Sequence, residues 1–436
     1  MTEQAIPTLA LIALAAVLAP LVAELLRRFI AVPEVVLLII FGIILGPFVL
    51  NIAHSNSIVT ALSDFGLTYL MFLAGTEVDP ATMRKGHAPR AVLSWVASLL
   101  IALVFGALFH ASGLVLDSVV VALCLTTTAL GTLLPILRDA GVLETAFGPT
   151  ILSVGAIGEF GPIVAVALLL TQREAGLTIL LLALFIGVAV IAALLAVQVR
   201  PPGFVLLLRR HLYSTSQLPV RISFLLVILL ADLALKLSLD VLLGAFAAGV
   251  VVRLFIPEED KEQVNSKLEA IGFGFLIPIF FIESGINFDL HALIHQPKVL
   301  LRVPVFAVVF LITRGLPTLV FFRRVLSKAQ AQALAILSAA GLPLIVVITT
   351  IGVDEHKMKP QNAAALVAAG MLSVLVYPIL GLRRLRADPE FATFGATGSG
   401  GTDGAGGTGG TDGTDGTGET DQTGETGDTA GTVGED

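Results

Sequence analysis

The stretch VGAIGEFGPIVAV, residues 154–166, holds one carboxylate, Glu159, in a run otherwise made of apolar residues and glycine. Three further ionisable residues lie inside apolar segments: Arg314 near the middle of one, Asp232 and Glu283 nearer the ends of theirs. A charge at the centre of a membrane helix costs about 2.5–3.5 kcal/mol on insertion scales, so such residues usually face a cavity or a partner and mark function by default. Low polarity favours whichever state of an acid carries no net charge, either the protonated acid or a carboxylate joined by a monovalent cation. A proton and a cation would therefore compete for Glu159. Arg314 keeps its proton under working conditions, which suits it to charge compensation at carbonyl-bearing helix ends and not to proton transfer. A permanently protonated Glu159, or one paired with Arg314, is the purely structural alternative. Asp232 and Glu283 fit interface hydrogen bonding as well as they fit an ion pathway.

Composition identifies the medium in which these residues are placed. Mean hydropathy is +0.94, and 56% of residues are hydrophobic against 14% charged, too little charge to cover a water-soluble particle of 436 residues. Apolar blocks of about 17–25 residues, each long enough to cross about 30 Å of hydrocarbon as a helix, recur about thirteen times between Pro7 and Leu382. They cover 8–28, 32–50, 59–77, 89–111, 117–137, 148–171, 177–198, 219–237, 240–256, 267–287, 299–322, 329–351 and 361–382. The fold class expected is an all-α polytopic membrane protein. Its N-terminus has neither a basic leader nor a small-residue cleavage site and is read as a retained first helix.

If the loop that begins with Arg27 and Arg28 is cytoplasmic, nineteen of the 26 basic residues fall on that side and six on the other. Basic residues concentrate in cytoplasmic loops. The count therefore places the N-terminus outside and the C-terminus in the cytoplasm, and the plasma membrane is the expected location. After Arg386 the chain turns to Gly, Thr, Asp and Glu. Residues 387–436 carry eleven acids and no Lys or Arg, which predicts a disordered acidic tail and accounts for the net charge of −7. Cys124 is the only cysteine, so no intramolecular disulfide or cysteine-based metal cluster is expected. No phosphate-cradling or zinc-hydrolase motif occurs. Nucleotide-driven transport, nucleic-acid binding and intramembrane catalysis are all disfavoured, no cofactor is expected, and a channel or secondary transporter remains.

Two spans break the helix rules. CLTTTALGTLLPILRDAG sets Thr126, Thr127, Thr128, Gly131 and Pro135 inside the fifth span, and ILSAAGLPLIVVITT sets Gly341 and Pro343 inside the twelfth. Each is the fourth member of a five-helix group, spans 2–6 and 9–13, and the two groups enter the membrane from opposite sides. Interrupted helices at matching positions of two halves point to an inverted repeat with a site where the breaks meet.

Several stretches carry a resemblance over residues 7–386. LGAFAAG within residues 222–252 is the most specific, supported by FGIILGP at 41–47, GLTYLMFLAGTEVDP at 66–80, TTTALGTLLPILRDAG at 126–141 and IPIFFIESGINFDL at 277–290. The chain resembles the cation:proton antiporter-2 family, the Kef-type monovalent cation/H+ antiporters with the NhaA-like fold. That resemblance implies a homodimer in membrane lipid. It also implies a core bundle, roughly 89–172 and 299–382, moving against a dimerisation bundle, roughly 7–77 and 219–287. It makes Glu159 the exchange carboxylate and, with Thr127 and Thr128, the set that ligates the metal cation, and it gives Arg314 charge compensation. Gly158 stands where the family carries Asn, Gln or Asp, so one carboxylate remains and electroneutral exchange of Na+ or K+ for H+ is expected. A Na+-coupled organic anion symporter on the same fold, or a transport-dead sensor reporting through its tail, are the alternatives.

Overall fold

A computed structural model describes residues 2–27, 32–77, 87–169, 216–237 and 239–388, with scattered positions between 176 and 191. The seventh expected span, 177–198, falls largely outside the described residues, as do Arg28, Arg84, Lys85, Arg173, Arg200, Arg209, Arg210 and the acidic tail from residue 389. Among the described residues the chain is helical throughout. Among them nine helical stretches, the interrupted Lys328–Asp354 included, are long and apolar enough to cross a membrane, and three shorter apolar stretches, Glu34–Leu45, the interrupted Ser118–Leu134 and Val241–Phe255, match the second, fifth and ninth expected spans.

In chain order the helices are α1 (Thr2–Arg27), α2 (Glu34–Leu45), α3 (Ser57–Glu77), α4 (Ala88–Ala111), α5 (Ser118–Leu125), α6 (Leu130–Asp139) and α7 (Gly148–Leu169). They continue with α8 (Leu218–Lys236), α9 (Val241–Phe255), α10 (Lys261–Ile286), α11 (Leu290–His295), α12 (Pro297–Phe322), α13 (Lys328–Ser338), α14 (Pro343–Asp354) and α15 (Pro360–Arg386). The fifth span is thus two half-helices, α5 and α6, and the twelfth is α13 and α14. Two long helices carry a π turn, Gly272–Leu276 in α10 and Leu311–Gly315 in α12. A π turn adds one residue to the helical circuit and is frequent at functional sites.

The two five-helix groups pack on each other reciprocally. α3, second of the first group, lies on α9, first of the second group; α10, second of the second group, lies on α2, first of the first. Both crossings are made at glycine pairs. A Cβ at Gly249 would lie 2.1 Å from the Phe72 carbonyl oxygen and 2.8 Å from Gly75 Cα, and one at Gly285 would lie 2.2 Å from the Ile39 oxygen and 2.8 Å from Gly42 Cα. Small residues let helices approach closely where lipid supplies no hydrophobic drive for association. Gly249→Val should therefore cost about 3 kcal/mol or more through overpacking against backbone. Fluorescence-detected size exclusion should show the folded peak lost, and a variant melting at the wild-type temperature would refute the close crossing.

A second set of helices packs around the breaks: α4 against α5, α7 and α12, and α15 against α12, α13 and α14. Its core residues are almost fully buried, among them Leu123, Leu125, Leu337 and Ile345, each 0% exposed. The lipid-facing sides are as apolar as the interior, with Leu100, Val104, Leu301 and Val308 exposed. That arrangement is expected where the surrounding solvent is hydrocarbon.

Candidate functional site

Threonine and glycine set the geometry of the breaks. After α5 the chain leaves the helix at Thr126–Ala129, and after α13 it leaves at Ala339–Leu342. The Ala129 N–H donates to the Ala340 carbonyl at 2.8 Å, joining the two unwound segments. Gly341 lies on Thr127, since a Cβ there would sit 2.6 Å from Thr127 Oγ1 and 3.0 Å from its carbonyl oxygen. The Ser373 hydroxyl of α15 closes the second break by accepting from the Gly341 N–H at 3.2 Å and donating to the Gly370 carbonyl at 2.7 Å.

α7 runs beside this junction. Pro162 has no N–H to give to the carbonyl four residues earlier, and that carbonyl, Gly158 O, accepts instead from the Thr128 N–H at 3.0 Å. One residue on stands Glu159, 8% exposed. The first backbone N–H groups of α6, at Leu130 and Gly131, lie beside its carboxylate. Unsatisfied amides at a helix N-terminus are a ready partner for negative charge.

Arg314, 1% exposed, enters from the π turn of α12. Its Nε and Nη2 donate to Thr128 Oγ1 at 3.0 and 2.7 Å, its Nη1 to Ser98 Oγ at 3.4 Å and its Nη2 to the Val154 carbonyl at 3.5 Å. Among the described residues no ion pair joins Arg314 to Glu159. The guanidinium sits among hydroxyls and carbonyls near the C-terminal ends of half-helices, and the carboxylate sits at an N-terminal end. Gly158 makes this possible: a Cβ there would lie 2.4 Å from Arg314 Nη2 and 2.4 Å from Thr128 Oγ1.

The candidate threonines differ in what they can offer. Thr127 Oγ1 donates to the Cys124 carbonyl at 3.0 Å, which leaves lone pairs available. Thr128 Oγ1 donates to the Ser338 carbonyl at 2.6 Å and accepts twice from Arg314, which uses its single donor and both lone pairs. In this conformation the Thr128 hydroxyl has nothing left for a cation.

The structure adds a residue that sequence reasoning passed over. Glu77, at the end of α3, lies close enough to Glu159 and Arg138 to interact electrostatically with both. Its Oε1 is 3.8 Å from where a Gly131 Cβ would stand. Its Oε2 is buried without a hydrogen-bond partner. The signal was present as an acid at the edge of an apolar span, inside the LAGTEVDP stretch.

Two other candidates stand apart. Asp232 pairs with Lys236 at 2.6 Å on the exposed face of α8, an i,i+4 contact of small energy. Glu283, 6% exposed, accepts from Thr60 Oγ1 at 2.9 Å and from the Ser55 hydroxyl. It lines a cavity of about 280 Å³ with Asp64, Asn287, Asp289, Thr350 and Asp354, between α3 and α10 on one side and α14 and α15 on the other.

Two interrupted helices crossing beside a buried acid define a secondary transporter with an inverted repeat. The chain belongs to a transporter family and not an enzyme family: residues 13–382 match the family model described as sodium/hydrogen exchanger, transmembrane. A putative Na+/H+ antiporter of Bacillus subtilis, YjbQ, is 27% identical over 397 residues, or 87% of this chain and 63% of that protein. The chain thus spans somewhat under two thirds of the length of that relative. A probable Na+/H+ antiporter of Methanocaldococcus jannaschii is 30% identical over 302 residues, 67% of this chain and 74% of the relative. Among solved structures, the sodium proton antiporter MjNhaP1 of the same archaeon superposes with a TM-score of 0.63 at 16% identity, covering 89% of this chain and 99% of its own. The fold is the NhaA-like antiporter fold expected from the sequence.

Proposed function

We infer that the protein exchanges a monovalent cation for H+ across a membrane, with Glu159 alternately holding each. Na+ is the first choice, because the relatives above are named Na+/H+ antiporters; K+ is the second. The observation that carries the reading is a buried carboxylate at the crossing to which, among the described residues, no cationic side chain is paired. A charge so placed needs a counter-ion, and only a mobile cation or a proton is left to supply one. One charge replaces one charge, so the cycle is electroneutral, and it needs no cofactor. Glu159, the Thr127 oxygens and Glu77 are the oxygen donors that would suit a hard cation.

The site hydroxyls and Arg314 belong to the helices around the breaks, read as the moving core, and α1–α3 with α8–α10 as the bundle it moves against. A second copy of this chain would sit on the latter. α1 supports that assignment, as only 17% of its most apolar window is buried within the chain. The biased distribution of basic residues supports a cytoplasmic C-terminus in the plasma membrane. Anion symport is the weaker reading, because four of the five Arg314 N–H donors that an anion would need are engaged by Thr128, Ser98 and Val154.

Proteoliposomes with an acid interior and a pH-sensitive dye test the reading: added Na+, K+ or Li+ should dissipate the gradient, with no change when valinomycin clamps the potential. No response to any of the three would end it. Glu77→Gln removes the second carboxylate, and the KM for the effective cation should rise about tenfold, equivalent to ~1.4 kcal/mol. An unchanged KM would take Glu77 out of the site.

A further inference from the structure

We propose that Thr128 is a positioning residue of the exchange site, its hydroxyl holding the two interrupted helices and Arg314 in one register and so fixing the start of α6 beside Glu159. The proposal rests on the reading of Glu159 as the exchange group.

Thr128 is 0% exposed and makes four hydrogen bonds to three other helices. Its N–H goes to Gly158 of α7, on the carbonyl that Pro162 leaves vacant. Its hydroxyl donates to Ser338 of α13 at 2.6 Å and accepts from Nε and Nη2 of Arg314 in α12. Ser338 and Arg314 are themselves 0% and 1% exposed. Water is not at hand to replace a lost contact, and a buried polar group left unpaired is costly. Ala129 alone separates Thr128 from the amides beside the carboxylate, and its own N–H is pinned to Ala340 of the second break. Any shift of Thr128 is therefore passed directly to the start of α6.

With its donor and both lone pairs committed, the hydroxyl acts through these neighbours and not by touching cargo. Gly158 gives an independent probe. A methyl group there would lie 2.4 Å from Thr128 Oγ1, 2.7 Å from Thr128 Cβ and 2.4 Å from Arg314 Nη2. It would press on the clamp while leaving every hydroxyl and carboxylate in the chain.

The test is the pH profile of cation/H+ exchange by the full chain in proteoliposomes, for wild type and for Thr128→Val, Thr128→Ser and Gly158→Ala. Amides beside a carboxylate favour its charged form, so displaced amides let the proton hold on longer. Thr128→Val should displace the profile by about one pH unit toward alkaline. Gly158→Ala should move it the same way, and Thr128→Ser, which keeps the hydroxyl, should restore it. A rise in cation KM for Thr128→Val with no displacement in either variant would make Thr128 a direct ligand and overturn the proposal. Unmoved profiles with only a lower maximal rate would reduce it to a packing residue. Should Thr128→Val fail to fold, the Gly158→Ala profile decides alone. Exchange that persists in Glu159→Gln would instead overturn the underlying reading, whatever the Thr128 profile.

Discussion

Vesicles carrying Glu159→Gln will dissipate an imposed pH gradient no faster than empty liposomes when Na+ or K+ is added. Glutamine has nearly the shape of glutamate and keeps one side-chain oxygen, so the fold is expected to survive. What it lacks is the charge. It neither releases a proton nor neutralises a bound cation, and both halves of the cycle stop together. The contrast with Glu77→Gln matters. Glu77 stands at the edge of the crossing and its loss should weaken cation binding, whereas loss of Glu159 should remove exchange. Equal residual rates in the two variants would mean that the charge is shared and that Glu159 has no special standing.

Arg314→Met should lose both stability and transport. The substitution keeps much of the side-chain volume but strips both donors from Thr128 Oγ1 and one from Ser98 Oγ, in a part of the protein where Thr128 and Ser98 are each 0% exposed. Hydrogen bonds to charged groups contribute about 1.5–3 kcal/mol each, so the loss should be on the order of 3 kcal/mol after relaxation and visible as a lower melting temperature in detergent. Arg314→Lys keeps the charge without the planar fork. It should regain folded protein more fully than it regains exchange, because one ammonium group does not reproduce the paired contact from Nε and Nη2. A methionine variant with wild-type melting and wild-type exchange would remove Arg314 from the account.

The breaks themselves were legible, because they are written in residues with known backbone consequences. Thr126–Thr128 before Gly131, and Gly341 before Pro343, are poor helix interiors, and the chain unwinds at 126–129 and 339–342. Span count was legible for a similar reason, since hydrocarbon thickness fixes helix length. The π turns were not: Leu311–Gly315 lies in what reads as one continuous apolar span. The approach of the α6 start to Glu159, and the pairing of Arg314 with Thr128, also depended on three-dimensional placement. From sequence alone, a threonine free to ligate and one saturated by its neighbours look alike. Gly158 shows the limit most clearly. It read as a missing polar side chain, and in the folded protein it is the space that the Arg314–Thr128 contact occupies.

The central claim is that one buried acid holds either cargo but never both. Proton release on cation binding measures it directly: purified protein in weakly buffered detergent solution is titrated with NaCl, against choline chloride as control, and the pH is followed. The account predicts close to one proton released per cation bound, saturating with the cation, and none from Glu159→Gln. Cation binding without proton release, or undiminished release from the glutamine variant, would contradict it.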